Sequence, residues 1–151
     1  MKKRELFEQF IVAIDYDKTL AQTTYPDVGA LYPSAKEVIN KWVNQGIYII
    51  IWTCRTGESA LKAESSLLEN GLFFHKFNDH HPNGLLHYGS EIQMEQKLYS
   101  RKVWSHVLID DTSIDWVLNG HPGWINLDKM MQQIIENLGD DNKYNLKSKL
   151  I

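Results

Sequence analysis

Acidic residues stand at two places in this chain where apolar runs stop. In Ile11-Val12-Ala13-Ile14-Asp15-Tyr16-Asp17 an apolar segment leads into Asp15, with Asp17 two positions on and Thr19 close behind. In His106-Val107-Leu108-Ile109-Asp110-Asp111 a second run ends on adjacent acids. A third run, Tyr48 to Trp52, ends on Thr53, and Lys102 lies just ahead of the second acidic pair. A carboxylate at the end of a buried segment costs free energy unless something cationic meets it. The chemistry these residues could do therefore turns on which cation they hold, and on what a hydroxyl and an amine beside them would bind.

The elements that must position them alternate. Ile11 to Asp15 and Ile47 to Thr53 are short continuous apolar runs, the pattern of strands buried on both faces. Leu72 to Phe77, His106 to Asp111 and Gly123 to Leu127 read as further strands. Between them, Tyr32 to Gly46 reads as a helix, with Ser34 and Glu37 spaced as a capping box and Gly46 as its stop. Gly57 to Gly71, Ser113 to Gly120 and Asp128 to Gly139 read as helices too. Tyr16 to Pro33 reads as a loop or small hairpin, and Asn78 to Lys102 as a loop with one short helix near Ser90 to Tyr99. The tail from Asp140 to Ile151 is polar and is expected to be mobile in part.

Strands alternating with helices predict an α/β fold, a three-layer, Rossmann-like domain on a five-stranded parallel sheet. Order 3-2-1-4-5 would place strands one and four side by side, so that Asp15 and Asp110 could share one ion. Right-handed crossovers would then put the helix after Ser34 on one face and the last helix on the other. In such sheets ligands bind beyond the carboxyl ends of the strands, at the switch in strand order. Asp15, Asp17, Thr53, Asp110 and Asp111 all fall at that edge.

The chain has 151 residues, enough for one domain, with the core at about 11–138. A formal charge of −3 gives no basic face of the kind that binds nucleic acid. One cysteine, Cys54, excludes an internal disulfide and suits a reducing, cytoplasmic setting. No apolar run approaches the ~20 residues of a membrane helix, and the basic start lacks the apolar stretch of a signal peptide.

In their order and their placement after apolar strands, Asp15-Tyr16-Asp17-Lys18-Thr19, Thr53, Lys102 and Asp110-Asp111 resemble the four motifs of the haloacid dehalogenase superfamily of phosphohydrolases. The resemblance spans roughly Ile11 to Leu138. The segments Tyr25 to Pro33, Trp52 to Glu58 and Ser100 to Asp111 also look like a small, largely uncharacterised group of capless bacterial members. It implies a phosphatase that hydrolyses a phosphate monoester with Mg²⁺ as cofactor. Asp15 would be metal ligand and nucleophile, forming an aspartyl-phosphate. Asp17 would protonate the leaving oxygen and then activate water, its backbone carbonyl also ligating the metal. Thr53 and Lys102 would hold the transferring phosphoryl oxygens, and Asp110 with Asp111 would complete the metal site.

Each role has a plainer alternative. Asp15, Asp17, Asp110 and Asp111 could be strand-end and turn residues, and Thr53 could cap the next helix. Lys97 and Arg101 compete with Lys102, and Asp115 with Asp111. Lys18 stands where many members have glycine, which predicts an ordinary backbone there. His80 and His81 lack the spacing of a zinc site and read as surface loop residues. Cys54 reads as a small packed residue. A receiver domain would order its motifs differently, and a pump-like reading would leave Asp15 without a role. A catalytically weak module that binds a phosphorylated partner is the serious rival. Family members usually insert a cap after the first motif or ahead of the motif-three lysine, and neither Leu20 to Pro33 nor Asn78 to Arg101 is long enough for a large cap domain. The open site would suit small or bulky phosphorylated substrates, or take a second copy of the chain as its lid.

Overall fold

The structure, a computed structural model, describes residues 8–82 and 102–148. Among them, four parallel strands form one sheet: β1 (Ile11–Ile14), β2 (Tyr48–Ile51), β3 (Lys76–Phe77) and β4 (Val107–Ile109). Their order is β3-β2-β1-β4. Four helices accompany them: α1 (Ala35–Asn44), α2 (Gly57–Glu69), α3 (Ile114–Asn119) and α4 (Trp124–Leu138). None of these helices is long and apolar enough to cross a membrane.

β1 is buried along its whole length, as an unbroken apolar run in the middle of a parallel sheet should be. The expected pairing of strands one and four is present, with Ile14 opposite Ile109. The two faces of the sheet differ. Val12, Ile14, Ile49 and Ile51 join the main core, together with residues of α1, α2 and α4. Ile11, Ala13 and Ile50 face the other way and pack with Val103. In α1 the buried Ala35, Val38, Ile39 and Trp42 fall at helical spacing on one side.

The sheet corrects several expectations. The fifth strand, Gly123 to Leu127, is instead the first part of α4, whose buried Trp124, Leu127, Met131 and Ile135 make one helical stripe. With no strand beyond β4 among the described residues, there is no crossover from β4 to set the last helix on the far face. α4 therefore packs beside α1 rather than on the opposite face. Trp42 and Trp124 meet at 5.8 Å between ring centroids, and Lys41 pairs with Asp128 at 2.8 Å. The third strand is confined to Lys76–Phe77. The short helix expected near Ser90 to Tyr99 lies outside the described residues.

Local backbone differs as well. Lys18 has φ of 59°, so the backbone there is left-handed and not ordinary. Ser34 is also left-handed, with φ of 66°, and its side chain caps nothing, because a side-chain cap needs extended backbone at that position. Part of the tail is folded: Leu146 is buried in the core, and the Lys147 amide donates to the Gln45 carbonyl.

The loop after β1 is the small hairpin expected. The Gln22 amide donates to the Ala30 carbonyl, and the Tyr32 amide to the Leu20 carbonyl. Gly29 permits this close approach, since a Cβ there would lie 1.9 Å from the Gln22 carbonyl oxygen.

Candidate functional site

Because Ile14 and Ile109 are paired in register, the residues after them leave the sheet together. The Asp15 amide donates to the Ile109 carbonyl at 2.9 Å, extending the pairing by one step. One carboxylate oxygen from each of Asp15, Asp110 and Asp111 lies within 4.8 Å of the other two. All three side chains are partly exposed.

Thr19 ties this trio together. It is fully buried, and its hydroxyl lies 3.0 Å from Asp15 Oδ2 and 3.4 Å from Asp111 Oδ1. The same oxygen accepts the Asp111 amide at 2.9 Å. The Thr19 carbonyl is held in turn by His121 Nε2 at 2.8 Å and by the Trp124 indole N–H at 3.1 Å. Asp110 spends one oxygen on a turn, accepting the Thr112 amide and hydroxyl through Oδ1. The turn reading and the site reading of Asp110 are thus compatible, since Oδ2 stays out of the turn.

The two neighbouring carboxylates add to the cost of ionising Asp15. Burial pushes the Asp15 carboxyl up to about 8, with the neighbouring Asp111 and Asp110 adding to it and the Thr19 hydroxyl opposing. A divalent cation reverses that balance. The donor set fits one. Octahedral Mg²⁺ has oxygens at about 2.1 Å, so ligands on opposite sides are about 4.2 Å apart. Only one pair of the three can lie on opposite sides, and neighbouring ligands are about 3.0 Å apart, so the trio must draw in by up to about 2 Å to hold one ion.

Asp17 lies apart from the trio. Its carboxylate is gripped by Arg55, whose Nε is 2.9 Å from Oδ2 and whose Nη2 is 2.7 Å from Oδ1. Thr23 donates its hydroxyl to the same carboxylate. Burial of Asp17 works against ionisation, but Arg55 and Thr23 outweigh it and hold this carboxyl below the usual range. Two acids two positions apart are thus driven in opposite directions.

Thr53 follows β2 at the same sheet edge. Its amide donates to Asn78 Oδ1 at 2.7 Å, and its hydroxyl oxygen accepts the Arg55 amide at 3.1 Å. It does not cap α2, whose first flanking residue is Thr56. The hydroxyl oxygen is the acceptor in that bond with the Arg55 amide, which leaves its proton to be offered to an oxyanion. Asn78, just past β3 and in left-handed backbone, also donates to the Arg55 carbonyl.

Lys102 is exposed and precedes the start of β4, whereas the acids follow its end. It must reach back along the sheet to join them. Lys97 and Arg101 lie outside the described residues. Asp115 is exposed on α3, accepts from Asn119 at 2.8 Å and takes no part in the trio. Cys54 is exposed, contrary to its expected packing, because the turn between Thr53 and Arg55 points it outward. His81 is buried, paired with Gln9 and set against the Tyr48 ring, contrary to its expected surface position. Arg55 and Asn78 were not singled out by the sequence. An arginine two positions after a strand-end threonine, with an unpaired acid elsewhere at the same edge, is the signal that could have found the first.

No family model matches the sequence, and no curated protein does. A solved structure of a conserved protein from Bacteroides thetaiotaomicron is similar at 25% identity, covering 83% of this chain and 92% of that one, with a TM-score of 0.66. The likeness spans nearly the whole of that protein and supports the α/β architecture.

Proposed function

We propose that this chain is a haloacid dehalogenase-type phosphatase, which hydrolyses a phosphate monoester with Mg²⁺ through an aspartyl-phosphate on Asp15. The observation that carries the reading is the meeting of Asp15, Asp110 and Asp111 within 4.8 Å at the ends of two adjacent parallel strands. Asp15 and Asp110, 95 positions apart in the chain, were expected to share an ion, and their carboxylate oxygens lying within 4.8 Å of one another supports that reading.

Mg²⁺, when bound, would offset the charge of the phosphate and of the acids that hold it. Asp15 would attack phosphorus through one oxygen while the bond from phosphorus to the ester oxygen breaks. Asp17, which must start this step protonated, would give its proton to that departing oxygen. In the second half, water attacks phosphorus and passes a proton to Asp17 while the bond to Asp15 breaks. The products are an alcohol and inorganic phosphate, and both aspartates return to their starting states. The Thr53 hydroxyl would donate to a phosphoryl oxygen, and Lys102 would serve likewise if it folds back to the edge.

A module that binds a phosphorylated partner without turnover is the second reading. The specific observation in its favour is that Arg55 holds Asp17 as a carboxylate, which is the wrong state to protonate a leaving group.

The test is phosphate release from a panel of phosphate esters with and without Mg²⁺. Asp15→Asn removes nucleophile and ligand together and should abolish release. Uncatalysed monoester hydrolysis is so slow, with enzymatic accelerations reaching ~10²¹, that no background rate would mask the loss. Wild-type-like turnover in Asp15→Asn would remove the mechanism; Mg²⁺ binding with no turnover on any ester would favour the binding module.

A further inference from the structure

We infer that Arg55 is the positioning residue for proton transfer by Asp17, an inference that rests on the phosphatase reading above. The Arg55 side chain is only 1% exposed. Its guanidinium has five N–H groups, and each has an acceptor. Nε bonds the Asp17 carboxylate at 2.9 Å, and Nη2 bonds it at 2.7 Å. Nη2 also reaches the Asp27 carbonyl at 2.7 Å. Nη1 reaches the Pro26 carbonyl at 2.9 Å and the Ser59 carbonyl at 3.5 Å. The guanidinium lies between two rings, 5.1 Å from the Tyr16 centroid and 5.2 Å from that of Tyr25.

This inventory decides what Arg55 can do. With every N–H engaged and the group shielded from solvent, it has nothing to offer a phosphoryl oxygen. It grips one carboxylate through two adjacent nitrogens, the geometry that fixes a carboxylate in plane and in direction. Its anchors are three backbone carbonyls, two from the hairpin after β1 and one from α2. Its own backbone is pinned by Thr53 and Asn78. The Asp17 carboxylate is therefore referenced to the same frame as Thr53, which approaches from β2, and not merely to the flexible turn that carries it. A proton donor must sit within hydrogen-bond reach of the departing oxygen, so an Asp17 side chain free to rotate would lose much of its value even when protonated. Lysine could supply the charge but not the fork.

The prediction concerns leaving groups. An alkyl phosphate needs its departing oxygen protonated; a p-nitrophenyl phosphate scarcely does. Arg55→Ala should lower kcat/KM for a simple alkyl phosphate by about 10²-fold or more, within the range general acid catalysis contributes, and lower that for p-nitrophenyl phosphate by less than about tenfold. In an Asp17→Asn background, Arg55→Ala should change neither ester further, because its effect runs through Asp17. Mg²⁺ affinity, read by calorimetry, should stay within a few-fold of wild type, since Arg55 touches none of the trio. Arg55→Lys should show the same ester discrimination at smaller amplitude, and it supplies the readout if Arg55→Ala fails to fold.

Equal losses on both esters in Arg55→Ala, or in Arg55→Lys where only that variant folds, would overturn the inference and leave the phosphatase reading standing. So would a further loss from Arg55→Ala in the Asp17→Asn background. If the wild type turns over no ester of the panel with Mg²⁺, the phosphatase reading itself fails and this inference falls with it.

Discussion

Binding of Mg²⁺ should eject a proton, and the amount follows from the acids at the sheet edge. With no cation beside it, the Asp15 carboxyl sits at about 8, raised by burial and by Asp111 and Asp110. At pH 7 a group titrating near 8 is about nine-tenths protonated, so loading the site releases about 0.9 proton per ion; at pH 9 the figure falls to about 0.1. The apparent Mg²⁺ affinity should then rise about tenfold per pH unit up to pH 8 and level off, a gain of about 10² between pH 6 and pH 9. Calorimetric titration in buffers of different ionisation enthalpy measures the released proton directly. The sign extends to stability. Asp15 has its folded value raised above the unfolded 3.8, so its contribution is fully present at acid pH and is lost as pH rises towards about 8. Metal-free protein should lose stability over that window, and Mg²⁺ should restore it. An affinity that is flat from pH 6 to pH 9, or binding with no proton released at pH 7, would refute the reasoning.

Two further outcomes are expected. Thr53→Ala removes one donor to the phosphoryl oxygens and should cost about 10²–10³ in kcat without unfolding the protein; a full loss in a folded variant would mean that Thr53 does more than donate. At the opposite edge of the sheet, His75 and His106 accept the amides of Ile49 and Ile11 through Nδ1, each at 2.9 Å, and burial holds both imidazoles below their usual range. Their contribution is complete above the unfolded pKa near 6.5 and is lost as pH falls through the lower folded values. The thermal midpoint of Asp15→Asn, which lacks the opposing Asp15 term, should therefore drop between pH 7 and pH 5, and His75→Asn with His106→Asn should flatten that drop; a midpoint that rises towards pH 5 would contradict it.

The strands that carry the acids were legible because each is an unbroken apolar run that stops on a charge. Their adjacency followed from asking two carboxylates to share one ion. Gly123 to Leu127 was misread for a physical reason: a short apolar run does not reveal its period. Only the continuation through Met131 and Ile135 shows that Trp124 and Leu127 begin a helical stripe. The misread strand carried the helix placement with it, since a crossover that does not exist cannot set a face. Lys18 was misread because local preference for ordinary backbone yields to two amides, Leu20 and Ala21, that turn back onto the Tyr16 carbonyl. Arg55 was invisible for another reason. In a sequence it is one charge among sixteen basic residues, and only the fold shows it buried against five acceptors.

The different surroundings of Asp15 and Asp17 are a consequence of that fold. Along an extended strand, residues two apart point the same way and would share one environment. Here β1 ends at Ile14, and the chain turns back on itself through Lys18, whose amide bonds the Ala21 carbonyl. Asp15 stays in line with β4 and meets two further carboxylates. Asp17 is carried towards the loop after β2 and meets a guanidinium. One group is left needing a cation, and the other is already supplied with one. Acids whose surroundings drive them apart in this way are suited to separate tasks, one as ligand and nucleophile and one as proton carrier. The same sequence on a straight strand would give two competing ligands. On the proposed reading, the left-handed turn at Lys18 and the buried Arg55 would be what separates a metal-binding acid from a proton-handling one.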